Sequence, residues 1–410
     1  MTIPHETRER ILTKVQETVQ AGYYAPDFHG KHWNEIVASH RQTIVDATTA
    51  ERFEQEMNTM LADLDSNMRL LGPNSKITAR NAINASFHAV DVRGDGGRRW
   101  VFQDVAPGGV AQRSGVLPAD VLLTIDGAPA APPDRPAFEM DRATRVEVLR
   151  GNERKQIDLD LKTPTPKYKD NPYSEPSVTG TMTPDRIAIV KVSLFPGKIG
   201  IDFANALTRM FRDRLAGAEG LVLDLRGNPG GGIGNLRLMS LFTPTRQPVG
   251  YSLDRATAEN GTPKERLPRL GKIPSQKWEL IPLAVRLGTK KSVVLETEGL
   301  GSQPFHGRIV ILVNEHTTGA AEMVTLFAKE NSLATIVGTE TPGRLISRTG
   351  TKVGGGYQLV FPVAAYQSWN GTRIEGRGIE PDIRVAWSFE DAQRGEDTQL
   401  DRALEVLRSK

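Results

Sequence analysis

"GRIVILVNEHTTGAAEMVTLF", Gly307 to Phe327, sets a short apolar run rich in β-branched residues against a stretch in which Met323, Leu326 and Phe327 recur at helical spacing. The first half reads as a buried strand and the second as a helix, so the chain turns sharply near Gly319. Such a turn leaves backbone N–H groups unpaired at the positive end of the helix dipole. A developing oxyanion is stabilised there, and acyl-transfer enzymes place a Ser or Cys at that point. The central residue here is Gly319.

The same texture extends upstream. "RIAIVKVSLF" (Arg186 to Phe195), "IDFANALTRMFRDRL" (Ile201 to Leu215) and "GLVLDLRG" (Gly220 to Gly227) alternate strand, helix and strand, the order of an α/β core with buried parallel strands. "DTQLDRALEVLRSK" closes the chain as an amphipathic helix. Residues 1–75 read as a helical segment, with one packing stripe at Ile11, Val15 and Val19 and another at Phe53, Met57, Leu61 and Leu64. Residues 76–165 change to short alternating runs such as "RRWVFQDV" and "TRVEVLRG", a small β domain. The Pro-rich stretch Lys162 to Ser177 leads into the core, residues 166–410. The fold class is therefore multidomain, α+β with an α/β core.

Composition removes several functions. Lys+Arg 52 against Asp+Glu 49 is nearly balanced, and no basic tract is interleaved with stacking aromatics, so nucleic acid is not an expected partner. The absence of Cys excludes disulfides, thiolate nucleophiles and cysteine metal sites. No metal or cofactor site is expected. "MTIPHETRERILTK" lacks a signal-peptide apolar region, and no run approaches the ~18 apolar residues of a membrane span. As written the chain reads as soluble and cytoplasmic; a periplasmic or secreted protein trimmed at its N-terminus would read the same.

"LVLDLRGNPGGGIGNL" (Leu221 to Leu236) puts a glycine-rich loop directly after a strand. It fails the dinucleotide pattern, since Asn235 falls where the last glycine belongs, and it lacks the Gly-Lys-Ser/Thr of a phosphate loop. A loop of small residues with upturned amides remains, suited to a carbonyl oxygen or peptide backbone: Gly227, Gly230 and Gly231, together with the amide of Ala320 after the turn. A plain tight turn is the alternative.

"VAPGGVAQRSGVLPADVLLTIDGAPA" (Val105 to Ala130) resembles the helix and following strand of a PDZ domain of the bacterial protease type. Such domains hold a peptide C-terminus by strand addition. The resemblance places the peptide-binding loop at Ala82, Ile83, Asn84 and Phe87, with Ala82 and Asn84 where glycines are expected. A side chain at either position obstructs close approach to a carboxylate.

The ordered set "VSLFPG", "DLRGNPGG", "VNEHTTGAAEM", "VGTETPGR" and "IEGRGIEPDIRV" resembles the tail-specific, or C-terminal-processing, serine peptidase family over nearly the whole chain. That resemblance implies a ClpP/crotonase-like core acting on peptide or protein C-terminal tails. It also implies a Ser nucleophile three residues before Glu322, where this chain has Gly319, and a Lys base where it has Arg344. A second lineage, the tricorn type, uses a His after Ser and a Glu near the C-terminal Gly-Ile-x-Pro-Asp. Here these positions are Asn67 and Glu375. Arg cannot lose its proton in a protein, and Asn does not titrate near neutrality. Of the neighbouring groups, Thr318 reads as a helix N-cap, His316 as a loop residue, Glu322 as a first-turn carboxylate and Glu330 as a solvated helix residue. The expected protein is a peptidase-family member that binds extended peptides with impaired chemistry. A carrier of small ligands and a PDZ adaptor remain as alternatives.

Overall fold

The computed structural model describes residues 2–73, 83–92, 97–139, 142–161, 177–197, 199–276, 279, 292–301 and 305–409. Helices α1 (His5–Gly22), α2 (Trp33–Asp46) and α3 (Ala50–Leu64) precede a short strand, β1 (Arg69–Leu71). The β domain follows: β2 (Ala85–Val92), β3 (Gly97–Val105), helix α4 (Val110–Arg113), β4 (Val121–Ile125), β5 (Ala128–Pro129), β6 (Arg142–Arg150) and β7 (Glu153–Leu161). The core opens with β8 (Val178–Met182), β9 (Ile187–Val192), α5 (Ile201–Arg209), β10 (Gly220–Asp224) and α6 (Asn235–Ser240). It continues through β11 (Pro248–Asp254), α7 (Arg255–Glu259), β12 (Arg269–Leu270), β13 (Val293–Glu296), β14 (Arg308–Val313) and α8 (Ala320–Glu330). β15 (Thr335–Gly338), β16 (Ile346–Gly354), β17 (Tyr357–Ser368), β18 (Ile383–Arg384), α9 (Phe389–Gln393) and α10 (Thr398–Arg408) complete it.

The central sheet runs β18-β15-β14-β10-β9-β8, parallel except for β8. The β14 side chains show why it is buried on both faces. Ile309, Ile311 and Val313 enter the cluster that holds α5, α6 and α8, whereas Val310 and Leu312 enter the one capped by Ala403 of α10. Alternation of side chains along a strand distributes a continuous apolar run between the two layers. Every α8 residue from Ala320 to Ala328 is buried, so this is a central helix rather than a one-sided amphipathic one. It packs against α6, β15 and β17.

The N-terminal helices pack onto the core through the stripes expected as packing faces. β1 pairs with β17, Arg69 opposite Val360, and the stripes of α1 and α3 share one core with Tyr357, Leu359 and Phe361. Three helices alone leave those stripes facing water; the β16–β17 hairpin covers them.

The β-domain sheet runs β2-β3-β4-β6-β7, which leaves β2 on an edge. Polar contacts join it to the core: His88 Nδ1 lies 2.9 Å from Glu315 Oε1, and Asn314 Nδ2 donates to Asp104 Oδ2 at 2.8 Å. Most of the expected linker, 162–176, lies outside the described residues.

Candidate functional site

The strand-to-helix turn centres on Gly319, with φ 60° and ψ −121°. An L side chain there is strained by about 1–3 kcal/mol, the kind of strain that collects at active-site turns and that glycine avoids. There is room for one, however: a Cβ would meet Gly230 Cα at 3.5 Å, Pro229 O at 3.7 Å and Arg344 O at 3.9 Å. The expected Thr318 cap is corrected. Gly319 is the N-cap residue, and its N–H donates to Glu322 Oε2 at 3.0 Å. Thr318 donates its backbone N–H to Asn228 O instead. Thr317 is fully buried and its hydroxyl donates to Leu225 O at 2.9 Å, so it is a structural group.

The glycine loop sits on this turn, backbone against backbone. A Cβ on Gly230 would come within 2.8 Å of Thr318 O and 2.9 Å of Ala320 N; one on Gly231 would lie 2.0 Å from Phe195 O. The expected donor set needs revision. The Gly227 amide donates to Asn314 Oδ1 at 3.0 Å and the Gly230 amide to Asn228 Oδ1 at 2.8 Å, because two asparagine side chains fold back to brace the loop. Among the described residues, the amides of Gly231 and Ala320 have no protein acceptor, so these two remain open to an oxygen from outside.

Glu322 is wholly buried and organises the site. Its Oε1 accepts from the Thr341 hydroxyl and the Gly343 amide, each at 2.7 Å, and its Oε2 accepts from the Arg344 amide at 2.8 Å. Burial raises its pKa, against the pull of those hydrogen bonds. The next amide along, Leu345, donates to Glu375 Oε2 at 2.8 Å, and Glu375 Oε1 accepts from Asn67 Nδ2 at 3.3 Å. Asn67 and Glu375 are thus brought together across the chain, one residue from Arg344. Burial also raises the Glu375 pKa, with Asp65 and Glu322 adding to it. Arg344 itself is exposed, and its guanidinium has no ion-pair partner among the described residues.

A cleft of about 330 Å³ separates β2 from the core, lined by Phe87, His88, Arg135, His316, Thr318 and Arg344 among others. Glu315 also reaches it. Burial opposes its charge, yet the His88 hydrogen bond, its own backbone and the Thr339 hydroxyl bring its carboxyl down to about 2. His316 Nε2 is buried without a hydrogen-bond partner.

The expected PDZ-like loop is only partly realised. Ala82 lies outside the described residues. The Ile83 side chain is fully buried in the β-domain core, which leaves only its backbone for a peptide contact at that loop position. Asn84 adopts φ 56°, a glycine-like conformation, but its side chain accepts the Val110 amide at 3.2 Å and so caps α4. Phe87 packs on Phe102 with ring centres 4.7 Å apart and faces the cleft.

Three groupings escaped the sequence reading. Glu322 stands at capping-box spacing from Gly319, a usable signal, but its bonds to residues 341–344 have no local trace. Glu330 is not merely solvated; it accepts from Ser368 Oγ at 2.9 Å and from Thr372 Oγ1, holding the end of β17. Asp224 and Arg226 form a buried bidentate pair that Asp397 and Lys191 extend, tying β10 to the start of α10. Although burial opposes its charge, Arg226 and Lys191 hold the Asp224 carboxyl well below the usual range.

Among the described residues no helix is long and apolar enough to cross a membrane. The chain is similar to the carboxyl-terminal-processing protease of Synechocystis, 23% identical over 97% of this chain and 86% of that protein. It is similar also to the chloroplastic C-terminal processing peptidase of Tetradesmus obliquus, 23% identical over 92% and 78%. The solved photosystem II D1 C-terminal processing protease superposes with a TM-score of 0.57 at 20% identity, covering 98% of each chain. The family model described as peptidase family S41 matches residues 186–385, which hold the glycine loop, the Gly319 turn, Arg344 and Glu375. With the mixed α/β architecture in agreement, residues 186–385 carry the peptidase family S41 core, and the chain as a whole is similar to C-terminal-processing proteases.

Proposed function

We infer that this protein binds extended C-terminal segments of peptides or proteins in the cleft between β2 and the core, and does not cleave them by a serine mechanism. One observation carries the reading: the residue at the head of α8, where the family resemblance places the nucleophile, is Gly319. No neighbouring hydroxyl replaces it. Thr317 is buried and bonded, and Thr318 is one residue off the turn centre, about 100° around a helical path from the position that faces the donors. The base positions, Arg344 and Asn67, cannot take a proton at neutral pH. The parts suited to binding are present: the open amides of Gly231 and Ala320, and the edge strand β2 beside the cleft, which an extended peptide can join.

The test pairs a fluorophosphonate probe with a quenched-fluorescence peptide library read by mass spectrometry. Peptide binding without labelling or cleavage is the expected result. Stoichiometric labelling, or cleavage that survives Thr318→Val and His316→Ala, overturns the non-hydrolytic part of the reading.

A further inference from the structure

The cleft carries an unusual charge pattern for a peptide groove. Arg135 and Arg344 both line it, both are exposed, and neither guanidinium has an ion-pair partner among the described residues. Glu315, the acid that reaches the same cleft, is already engaged by His88 at 2.9 Å and by the Thr339 hydroxyl at 2.8 Å. His316 adds a buried ring nitrogen with no hydrogen-bond partner, 4.0 Å from Glu315 Oε1. The net field in the cleft therefore favours an anion.

Position is as informative as charge. The backbone oxygen of Arg344 lies 3.9 Å from the Cβ position of Gly319, so this cation flanks the turn that presents the Ala320 amide. Glu322 and Glu375 fix the backbone on either side of it through the amides of Arg344 and Leu345. A long flexible side chain is thereby anchored at its root, and glycine at 319 places no side chain between it and the open amides. In the β domain, by contrast, the Asn84 side chain caps α4 and obstructs the loop where the PDZ resemblance puts carboxylate capture.

We propose that Arg344 is the specificity determinant for a free C-terminal carboxylate, and that a bound peptide ends at the Gly319 turn instead of threading past it. One carboxylate oxygen takes the Gly231 and Ala320 amides and the other pairs with the Arg344 guanidinium, whose fork geometry suits a carboxylate where a lysine would offer a point charge. The peptide backbone preceding that carboxylate lies along β2, and Arg135 attracts acidic side chains near the mouth. The site thus recognises a chain end as a product-like ligand. This inference rests on the peptide-binding reading above.

The experiment uses the full chain and an N-terminally tethered random decapeptide library, prepared once with free C-terminal acids and once with C-terminal amides. Fluorescence anisotropy is then run on selected sequences in both forms. Loss of a charge-assisted hydrogen-bond pair corresponds to about 10- to 100-fold in affinity, so acids are expected to bind at least tenfold tighter than amides. Arg344→Gln should abolish that preference, Arg344→Lys should retain part of it, and Asn84→Ala should leave it intact. Thermal unfolding of each variant checks the fold. Equal binding of acid and amide, or an acid preference that survives Arg344→Gln, overturns this inference and leaves peptide binding standing. Binding of neither form overturns both.

Discussion

Glu322 accepts the backbone amide of Arg344 at 2.8 Å, and so couples the first turn of α8 to the loop that enters β16, 22 residues further along the chain. The same carboxylate holds Gly319, Thr341 and Gly343, every one of them a donor. Glu322→Gln replaces one acceptor oxygen with an NH₂ that faces two of those donors. Each buried donor left unpaired costs about 1–3 kcal/mol, so the variant should lose about 2–6 kcal/mol of stability in chemical denaturation and weaken peptide binding. A variant as stable as the parent would remove Glu322 as organiser of the site.

Gly319→Ser should fold with reduced stability. The new Cβ meets neighbours only at ordinary contact distances, 3.5 Å and beyond, so the expected cost is the φ 60° backbone strain, about 1–3 kcal/mol. Gly319→Ala should cost about the same, because the strain belongs to Cβ and not to the hydroxyl. A wide gap between the two in urea midpoints would point to a specific hydrogen bond at the serine.

Turnover needs two changes. Gly319→Ser supplies a hydroxyl but leaves Arg344 permanently charged, and Arg344→Lys supplies a group that can lose a proton but no nucleophile. The double variant should hydrolyse peptides at a rate above the sum of the single variants, since nucleophile and base act as a unit. Fluorophosphonate labelling of Gly319→Ser alone, as fast as of the double variant, would mean that another base, with His316 the first suspect, already serves the turn.

Glu375 provides a pH test. Its folded pKa is raised by burial, so the folded state prefers the protonated carboxyl. The resulting stability is fully present below the unfolded value of ~4.3 and is lost as pH rises through the folded pKa. Glu375→Gln removes that dependence. Its melting temperature relative to the parent should therefore climb between pH 4 and pH 8, and a constant difference across that range would contradict the raised pKa.

The parts of this molecule that were legible in the sequence are those written in periodicity. β14 shows it best: an unbroken apolar run can only be a strand covered twice, and Ile311 and Leu312 do face opposite layers. The strand, the loop and the turn each follow from local pattern, but only the family resemblance puts Gly230 in one site with Gly319 and Ala320. The donor assignment follows from neither, because it depends on Asn228 and Asn314 turning their side chains inward onto Gly230 and Gly227. The contact of Asn67 with Glu375 spans most of the chain, and residue spacing says nothing about such a pair until the fold closes. The pairing of β1 with β17 is hidden for the same reason: three residues, "RLL", carry no strand signal of their own.

That pairing has a consequence during synthesis. Arg69 must wait for Val360, and the apolar faces of α1 and α3 wait with it for the β16–β17 hairpin. At ~5–20 residues per second, the roughly 300 intervening residues take about 15–60 s to emerge. For that interval the first three helices carry a sticky surface with no native cover, and closing so long a loop is slow even once the hairpin exists. Nascent chains halted between residues 70 and 350 should therefore be prime clients of holdase chaperones, and release of the full-length chain should coincide with burial of Phe53 against Tyr357, rings 5.5 Å apart.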